Sequence, residues 1–522
     1  MCGIAGFTGK NYNGLLDKFL NSILYRGPDE NGKSVIENEI SLCNSRLSII
    51  DIETGQQPMK TENAHVVFNG EIYNYLELKN DLEAKGYKFK TQSDTEVILA
   101  SYEYYGENFV SKLNGMFAIA IYDLKLKKLI ICNDPFGIKP IYYSIIDNEL
   151  SFSSSAKSIT LHPKFKKKLN AKALAETVQF RYSISGEVFF EGIEKLKSGE
   201  ILIWDNINKI KKKYNYDLEN KIYDDQLGEN DWIEECYNIF NDSIKINLRA
   251  DVPIGIFLSS GIDSAGILHF ANKNGYKNIE GYSYSTNQEN DESKQVIELS
   301  KKYKINTNYI TLDDGNFFSD LDNINNKFDF PIADSLIFPI NELCKISSKK
   351  HKVILTGEGA DEMFGGYFYL SSIKKLQKLN NLKLNSIASS VIKLLPVNIL
   401  NKFFNYDENL GELGKDRTLS LLKNFKNNES TYINSTALLN NEEMNKFTNL
   451  KNIFSDKIKS LDFKYLQKKM INTWLPNQIC TKSDQLSMAH GLETRVPFLD
   501  KRILNLILNI PEKLLTNRNT SK

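Results

Sequence analysis

The stretch Phe257-Leu258-Ser259-Ser260-Gly261-Ile262-Asp263-Ser264 constrains this chain most, because it asks for a buried strand, a tight turn and a helix in immediate succession. The apolar run through Ile254, Ile256 and Leu258 suits a strand covered on both faces, as in a parallel sheet. Residues 265–271 continue in mostly helix-compatible types, so the turn aims backbone N–H groups and the positive end of a helix dipole at one point. An anion is stabilised there. Ser259, Ser260 and Ser264 add hydroxyl donors, Gly261 lets backbone approach closely, and Asp263 can hold a Mg²⁺ ion that neutralises phosphate charge. A plain capped turn uses the same residues, so the phosphate reading depends on what accompanies it.

Two common nucleotide signatures are missing from the sequence. There is no G-x-x-x-x-G-K-[ST], and Gly357-Glu358-Gly359 lacks the third glycine of the dinucleotide fingerprint because Glu362 stands there. The 522 residues, 41% hydrophobic and 25% charged, suit a soluble globular chain of at least two domains. A formal net charge of +1 gives no general attraction for nucleic acid or membrane, and the basic runs at 164–168 and 211–213 read as solvated surface. No run approaches the roughly 18 apolar residues of a membrane span, and the start lacks the regions of a signal peptide, so the cytoplasm is the expected compartment. Cys2, Cys43, Cys132, Cys236, Cys344 and Cys480 form no C-x-x-C pair, and the five histidines show no ligand spacing. Neither a disulfide framework nor a zinc site is expected.

Cys2 draws attention by its position. Once Met1 is removed, Cys2 carries a thiol beside a free α-amine of pKa about 7.7 to 8.0, able to serve as its own general base without a histidine. Further motifs follow in order. Arg26-Gly27-Pro28-Asp29 is a charged turn, and Ser45-Arg46-Leu47-Ser48-Ile49-Ile50-Asp51 carries an arginine able to grip a carboxylate bidentately. In Phe68-Asn69-Gly70-Glu71, the Asn69 amide and the Gly70 N–H can form an oxyanion hole, and Glu71 can bind an ammonium. Ser93-Asp94-Thr95-Glu96 adds a carboxylate at a helix start, with Ser93 as its N-cap.

Together these segments resemble the class II glutamine amidotransferases, whose N-terminal cysteine hydrolyses glutamine to glutamate and ammonia. The resemblance implies an α+β first domain, an Ntn-type αββα sandwich, over residues 1–204. It implies Cys2 as nucleophile, Arg46, Leu47, Ser48, Ile49, Ile50 and Asp94 holding the amino-acid end of glutamine, and Asn69, Gly70 and Glu71 lining the acyl site. Asn133-Asp134-Pro135-Phe136-Gly137-Ile138-Lys139-Pro140 and Phe152-Ser153-Ser154-Ser155-Ala156-Lys157 are similar to its later strands. A polar, Lys/Asn-rich linker is expected at 205–230.

From residue 231 helical and strand-like segments alternate, as in a parallel α/β sheet whose ligands lie beyond the C-terminal strand ends. Residues 277–285 read as a second strand, with Tyr284 at the edge of an adenine pocket. Val353-Ile354-Leu355 runs into Thr356-Gly357-Glu358-Gly359-Ala360-Asp361-Glu362, three carboxylates close enough to repel one another unless a metal or cation offsets them. Near the end, Lys482 is a candidate phosphate clamp, followed by Glu493-Thr494-Arg495-Val496-Pro497-Phe498-Leu499-Asp500.

The turn at 257–264 is similar to the S-G-G-x-D-S loop of ATP pyrophosphatases, and the whole chain resembles glutamine-hydrolysing asparagine synthetases. That implies an adenylating α/β domain with added helices over 231–522. Adenosine would lie near Leu258 and Tyr284, phosphates on Ser259, Gly261 and Ser264 beside Thr356 and Gly357, and Mg²⁺ on Asp263 and Asp361. An acceptor carboxylate would attack the α-phosphate, and ammonia would attack the acyl-adenylate, with Glu358 taking a proton and Lys482 steadying negative charge. Aspartate is the leading acceptor. A sugar acid or another carboxylate is the rival, with contacts expected at Asp334-Ser335 and after Gly366, and a non-catalytic glutamine or nucleotide sensor is the reading of another class. No nucleic-acid partner is implied, and a homodimer is admitted.

The chain departs from the family pattern at Ser260, where glycine is usual, and at Asn44, Asn133, Ser155 and Gln485, where histidine, arginine, glutamate and arginine are usual. These changes put local packing and phosphate binding in question. Residues 371–469 are assigned no chemistry, and the chain stops at Lys522 where relatives continue with a helical segment, which is expected to leave apolar surface uncovered.

Overall fold

The computed structural model describes residues 2–515 apart from 11, 13, 206–210, 216–222, 224–226, 286–292, 312–321, 323, 368–369, 371–372, 374–383, 398, 400–410, 424–427, 449–452 and 454–456. Much of the expected linker, part of 371–469 and the last seven residues therefore lie outside the described residues.

The first half supplies twelve described strands: β1 (Cys2–Thr8), β2 (Glu30–Ile36), β3 (Ile40–Arg46), β4 (Met59–Lys60), β5 (Ala64–Ile72), β6 (Gly115–Asp123), β7 (Lys128–Asn133), β8 (Tyr142–Ile146), β9 (Glu149–Ser153), β10 (Glu194–Lys195), β11 (Glu200–Asp205) and β12 (Lys211–Asn215). They form two antiparallel sheets, ordered β10-β8-β9-β1-β3-β2 and β12-β11-β7-β6-β5-β4. Side chains alternate across each strand, so each sheet has two faces to bury. Val67, Ala118, Ala120, Tyr122 and Ile131 meet Ile4, Leu42 and Phe152 between the sheets. Val66, Phe68, Phe117, Ile119 and Ile121 instead pack under helices Tyr75–Ala84 and Asp94–Tyr105. On the far side Ala5, Phe7 and Cys43 pack under helix Leu15–Ile23. The layers are helix, sheet, sheet, helix, the sandwich expected. The stretch read as a linker contributes β12 to the edge of the second sheet.

The second half holds a parallel sheet of β13 (Ile254–Phe257), β14 (Glu280–Tyr284), β15 (Thr307–Ile310), β16 (Val353–Leu355) and β17 (Glu493–Arg495), ordered β15-β14-β13-β16-β17. The chain moves outward from β13 to β15, then restarts on the other side of β13 with β16. The topological switch point therefore lies between β13 and β16, where open α/β sheets bind ligands. The glycine-serine turn and the acidic loop leave the sheet from these two strands. The halves also share cores: Leu47, Ile49 and Ile50 pack with Ile254, Ile256 and Leu355, while Met116, Phe136 and Ile138 pack with Leu475, Cys480 and Leu499.

Candidate active sites

A cavity of about 300 Å³ is lined by Cys2, Arg46, Leu47, Ile49, Ile50, Gly70, Glu71 and Asp94 of the expected set, joined by Gly55, Gln57, Phe68, Ser93 and Thr95. The β1–β3 register sets Cys2 opposite Arg46, which explains how residues 44 apart in sequence share one wall. The Cys2 N–H donates to Asn69 Oδ1 at 3.0 Å, while Nδ2 of the same buried amide has no partner. One amide thus touches the thiol residue and keeps a donor uncommitted. Gly70 follows with φ +146°, and a Cβ there would lie 2.0 Å from the Met116 carbonyl oxygen, so a side chain is excluded. Ser48 and Asn69 of the expected set do not line the cavity, and the Ser48 N–H donates to Asp29 Oδ2 at 2.8 Å.

Arg46 is used differently from the expected carboxylate grip. Its Nη1 donates to Glu30 Oε2 at 2.9 Å and the Ile52 carbonyl at 3.3 Å, and its Nη2 to the carbonyls of Ile50 at 3.0 Å and Asp51 at 2.6 Å. Loop carbonyls without strand partners take the fork, which braces the pocket wall. Asp94 opens its helix behind Ser93, whose side chain accepts the Thr95 N–H at 3.2 Å as an N-cap. Burial pushes the Asp94 carboxyl to about 6, against the Ile72 N–H that its Oδ2 accepts at 3.1 Å. Glu71 is likewise pushed well above the usual carboxylate range by burial, opposed by Arg495, whose Nη2 donates to Oε2 at 3.0 Å; Oε1 has no partner.

At the switch point, the Ser259 N–H donates to Ser264 Oγ at 3.1 Å, the Gly261 N–H to Ser259 Oγ at 3.2 Å, and Leu258 is buried beneath the turn. Gly261 caps helix Ile262–Lys273 with φ −66°, and Ser260 has no positive φ, so its β-carbon imposes no backbone strain. The acidic loop rises alongside: a Cβ on Gly357 would lie 3.0 Å from Asp263 Cβ and 3.4 Å from the Ser264 nitrogen. Asp263 and Asp361 each stand in the first turn of a helix, Ile262–Lys273 and Ala360–Phe364, and Tyr284 ends the neighbouring β14. Among the described residues no three His, Cys, Asp or Glu side chains gather as a ligand set. Two carboxylates beside a turn of hydroxyl and backbone N–H donors are a donor set that would suit Mg²⁺, an ion usually bound through one or two carboxylates with water and substrate oxygens completing its shell.

Glu358 lines a cavity of about 240 Å³ with Ile138 and Lys139 of the sandwich and Cys480, Ser483, Asp484 and Leu499 of the second half. Its Oε2 is buried without a partner, and burial raises its carboxyl above the ordinary value against the pull of Lys482. Lys482 is 5% exposed, and its Nζ donates to Asp334 Oδ2 at 2.7 Å. The expected clamp and an expected acceptor contact are therefore partners.

The buried charges joining the halves escaped sequence reading. Arg26, read as a turn residue, donates from Nη2 to both oxygens of Asp484 at 3.0 and 2.8 Å and from Nε to the Cys2 carbonyl at 3.3 Å. Asp134 accepts the N–H groups of Phe117, Phe136, Ile138 and Lys139, which shapes the turn beside the Glu358 cavity. The one available signal was charge within apolar stretches, since buried charges need partners. Of the departures, Ser155 Oγ donates to Asp329 Oδ1 at 2.6 Å, Asn133 Nδ2 to the Leu196 carbonyl at 3.2 Å, and Asn44 Nδ2 to Gln57 Oε1 at 3.3 Å. Gln485 is buried with neither end of its amide partnered.

Residues 1–215 match the family described as glutamine amidotransferase domain, and residues 235–522 the family described as asparagine synthase. Glutamine-hydrolyzing asparagine synthetase 1 of Bacillus subtilis is 32% identical over 539 aligned positions, which cover 100% of this chain and 83% of the relative. Glutamine-hydrolyzing asparagine synthetase 2 of the same organism is 30% identical over 98% of this chain and 67% of its own length. A protein named amidase chry2, from Gibberella zeae, is 25% identical over 98% of this chain and 83% of its own. With both halves matched in order and the first relative aligned along the whole chain, the chain belongs to the asparagine synthase family and carries a glutamine amidotransferase domain ahead of its synthase domain.

Proposed function

We propose that the chain is an ATP-dependent carbon–nitrogen ligase that converts L-aspartate, L-glutamine, ATP and water to L-asparagine, L-glutamate, AMP and pyrophosphate. The observation that carries this reading is the pairing of a Cys2 pocket with an uncommitted Asn69 donor and, across a shared core, a serine-glycine turn and an acidic loop meeting at one switch point.

In the first centre the Cys2 α-amine, accepted by Asn69 Oδ1 once Met1 is gone, takes the thiol proton, and the thiolate attacks the glutamine amide carbon. Asn69 Nδ2 and the Gly70 N–H receive the oxyanion, and ammonia leaves with the proton. Glu71 and Asp94 offer carboxylates to the α-ammonium, and water then releases glutamate. In the second centre the Ser259 and Ser264 hydroxyls and the Gly261 backbone take the phosphates, Thr356 and Gly357 flank them, and Leu258 and Tyr284 border the adenosine. Mg²⁺, when held by Asp263 and Asp361, would offset phosphate charge. The aspartate side-chain carboxylate attacks the α-phosphorus, pyrophosphate departs, and ammonia displaces AMP, giving its surplus proton to Glu358 while Lys482 steadies negative charge. The cavity between Lys139 and Glu358, lined from both halves, supports a route for ammonia between the two centres.

Cys2→Ala should abolish glutamine use while AMP and pyrophosphate still form with added ammonia; loss of both activities contradicts two separable centres. A second reading keeps the chemistry and changes the acceptor to another carboxylate such as a sugar acid, and a relative covering 98% of this chain bears the name amidase, not asparagine synthetase. Aspartate-dependent pyrophosphate release decides between them, and its absence removes aspartate as acceptor. A non-catalytic sensor has no need of a buried thiol beside a spare amide donor.

A further inference from the structure

Arg495 ends β17 with no exposed surface and is held on several sides. Its Nε donates to Glu493 Oε1 at 2.6 Å, Nη1 to the carbonyls of Asn247 at 2.7 Å and Arg249 at 2.6 Å, and Nη2 to Glu71 Oε2 at 3.0 Å. The backbone of the same residue has a separate task. β17 pairs with β16 with Leu355 opposite Arg495, and the next N–H, that of Thr356, donates to the Arg495 carbonyl at 2.9 Å. One residue therefore holds the start of the loop leading to Glu358 through its carbonyl, and a wall of the Cys2 pocket through its guanidinium.

Glu71 depends on that partner. It is 3% exposed, Asp94 and Glu493 repel its charge, and burial disfavours the ionised form; the Arg495 charge is the chief opposing influence. With Oε2 taken by Arg495, Oε1 is left without a partner on a carboxylate that lines the pocket. The guanidinium also lies 5.6 Å from the ring centroid of Tyr73, two residues along the same segment, which fixes its approach to Glu71. A buried cation paired this way cannot shift without stranding a carboxylate.

We propose that Arg495 is a positioning residue for glutamine: the synthase half supplies the cation that pairs with Glu71 and presents its second oxygen to the glutamine ammonium, so the pocket is complete only with β17 in register beside β16. This rests on the glutaminase reading above. Any displacement of β17 that disturbs Thr356 also loosens Glu71, which links the state of the adenylating loop to the hold on glutamine.

The test measures glutamine hydrolysis and ammonia-dependent pyrophosphate release on the full chain. In Arg495→Met the KM for glutamine should rise about tenfold or more with kcat changed less than about threefold, the mark of lost binding and not of lost chemistry. Ammonia-dependent synthesis should fall less than about threefold, because the Arg495 carbonyl and the Thr356 N–H remain. Adding Glu71→Gln should raise KM no further, since both changes remove one interaction. Arg495→Met takes the Nε donor from Glu493, so Arg495→Met/Glu493→Gln is made beside it; Arg495→Lys, which keeps the charge but not the fork, should fall between parent and Arg495→Met. An unchanged KM in Arg495→Met, Arg495→Met/Glu493→Gln and Arg495→Lys, equal loss of both activities, or additive effects of the Arg495 and Glu71 changes overturns the proposal. If only Arg495→Lys folds, a KM equal to the parent's overturns it. Absence of glutamate release from the parent overturns the glutaminase reading itself, whereas release with an unmoved KM overturns this inference alone.

Discussion

Asp94 shows how burial tunes a single side chain. Its carboxyl is pushed to about 6, so it loses its proton only as pH rises through that value. Because the folded-state value lies above the ordinary one, its contribution to stability is fullest at low pH and is lost as pH rises through about 6. Under the proposed function glutamine binding runs the other way, since the ionised carboxylate is the form that pairs with an ammonium. The KM for glutamine should therefore rise as pH is lowered through about 6, and Asp94→Asn should raise KM and flatten that dependence; initial-rate measurements across this range check it, and a parent KM that does not move contradicts it. Arg46 carries a different lesson at the same scale. An arginine on a strand beside a cysteine reads as a ligand grip, and the structure gives its fork to Glu30 and to loop carbonyls that lie only a few residues away.

Among the elements, the acidic loop is held by what a glycine permits. Gly359 caps helix Ala360–Phe364 at φ +89°, and a Cβ there would lie 2.3 Å from Leu499 Cδ2. Gly359→Ala should displace the 358–361 segment and lower ATP-dependent pyrophosphate release by about tenfold or more, because catalysis is sensitive to misplacement of about 1 Å. Glutamine hydrolysis should persist in the same preparation, and parallel loss of both activities contradicts a local effect. The strand–turn–helix at 254–273 and the strand before the acidic loop were legible because short apolar runs bounded by glycine state their own conformation. β12 was not. Its five polar residues carry no alternation, and pairing with β11, not local propensity, makes them a strand.

Across the whole molecule, the two halves are fastened by buried charge as well as by shared apolar cores. Arg26 and Asp484 are 2% and 1% exposed and lie 458 positions apart. Removing Arg26 leaves Asp484 only the longer contact to buried Lys139, Nζ to Oδ1 at 3.7 Å, so Arg26→Met should cost about 3 kcal/mol, whereas Arg26→Met/Asp484→Leu, which unpairs Lys139 in turn, should recover only part of that loss. Denaturant unfolding of both variants checks this, and a double variant as unstable as the single would assign the effect to packing. Because Arg26 also holds the Cys2 carbonyl, the single variant should lose glutamine hydrolysis before ammonia-dependent synthesis.

By itself the sequence determined the order of the candidate motifs: a thiol near the start, an Asn-Gly pair, a serine-glycine turn after a buried strand and an acidic loop after another. Each of these is contiguous, so local backbone geometry and side-chain type suffice to state it. The tertiary structure alone decided which charges meet. It turned Arg46 to the loop, paired Lys482 with Asp334, set Glu358 in a cavity lined by both halves, left Ser260 unstrained and joined Arg495 to Glu71. The free energy of a buried charge depends on partners hundreds of residues away, and no local pattern names them.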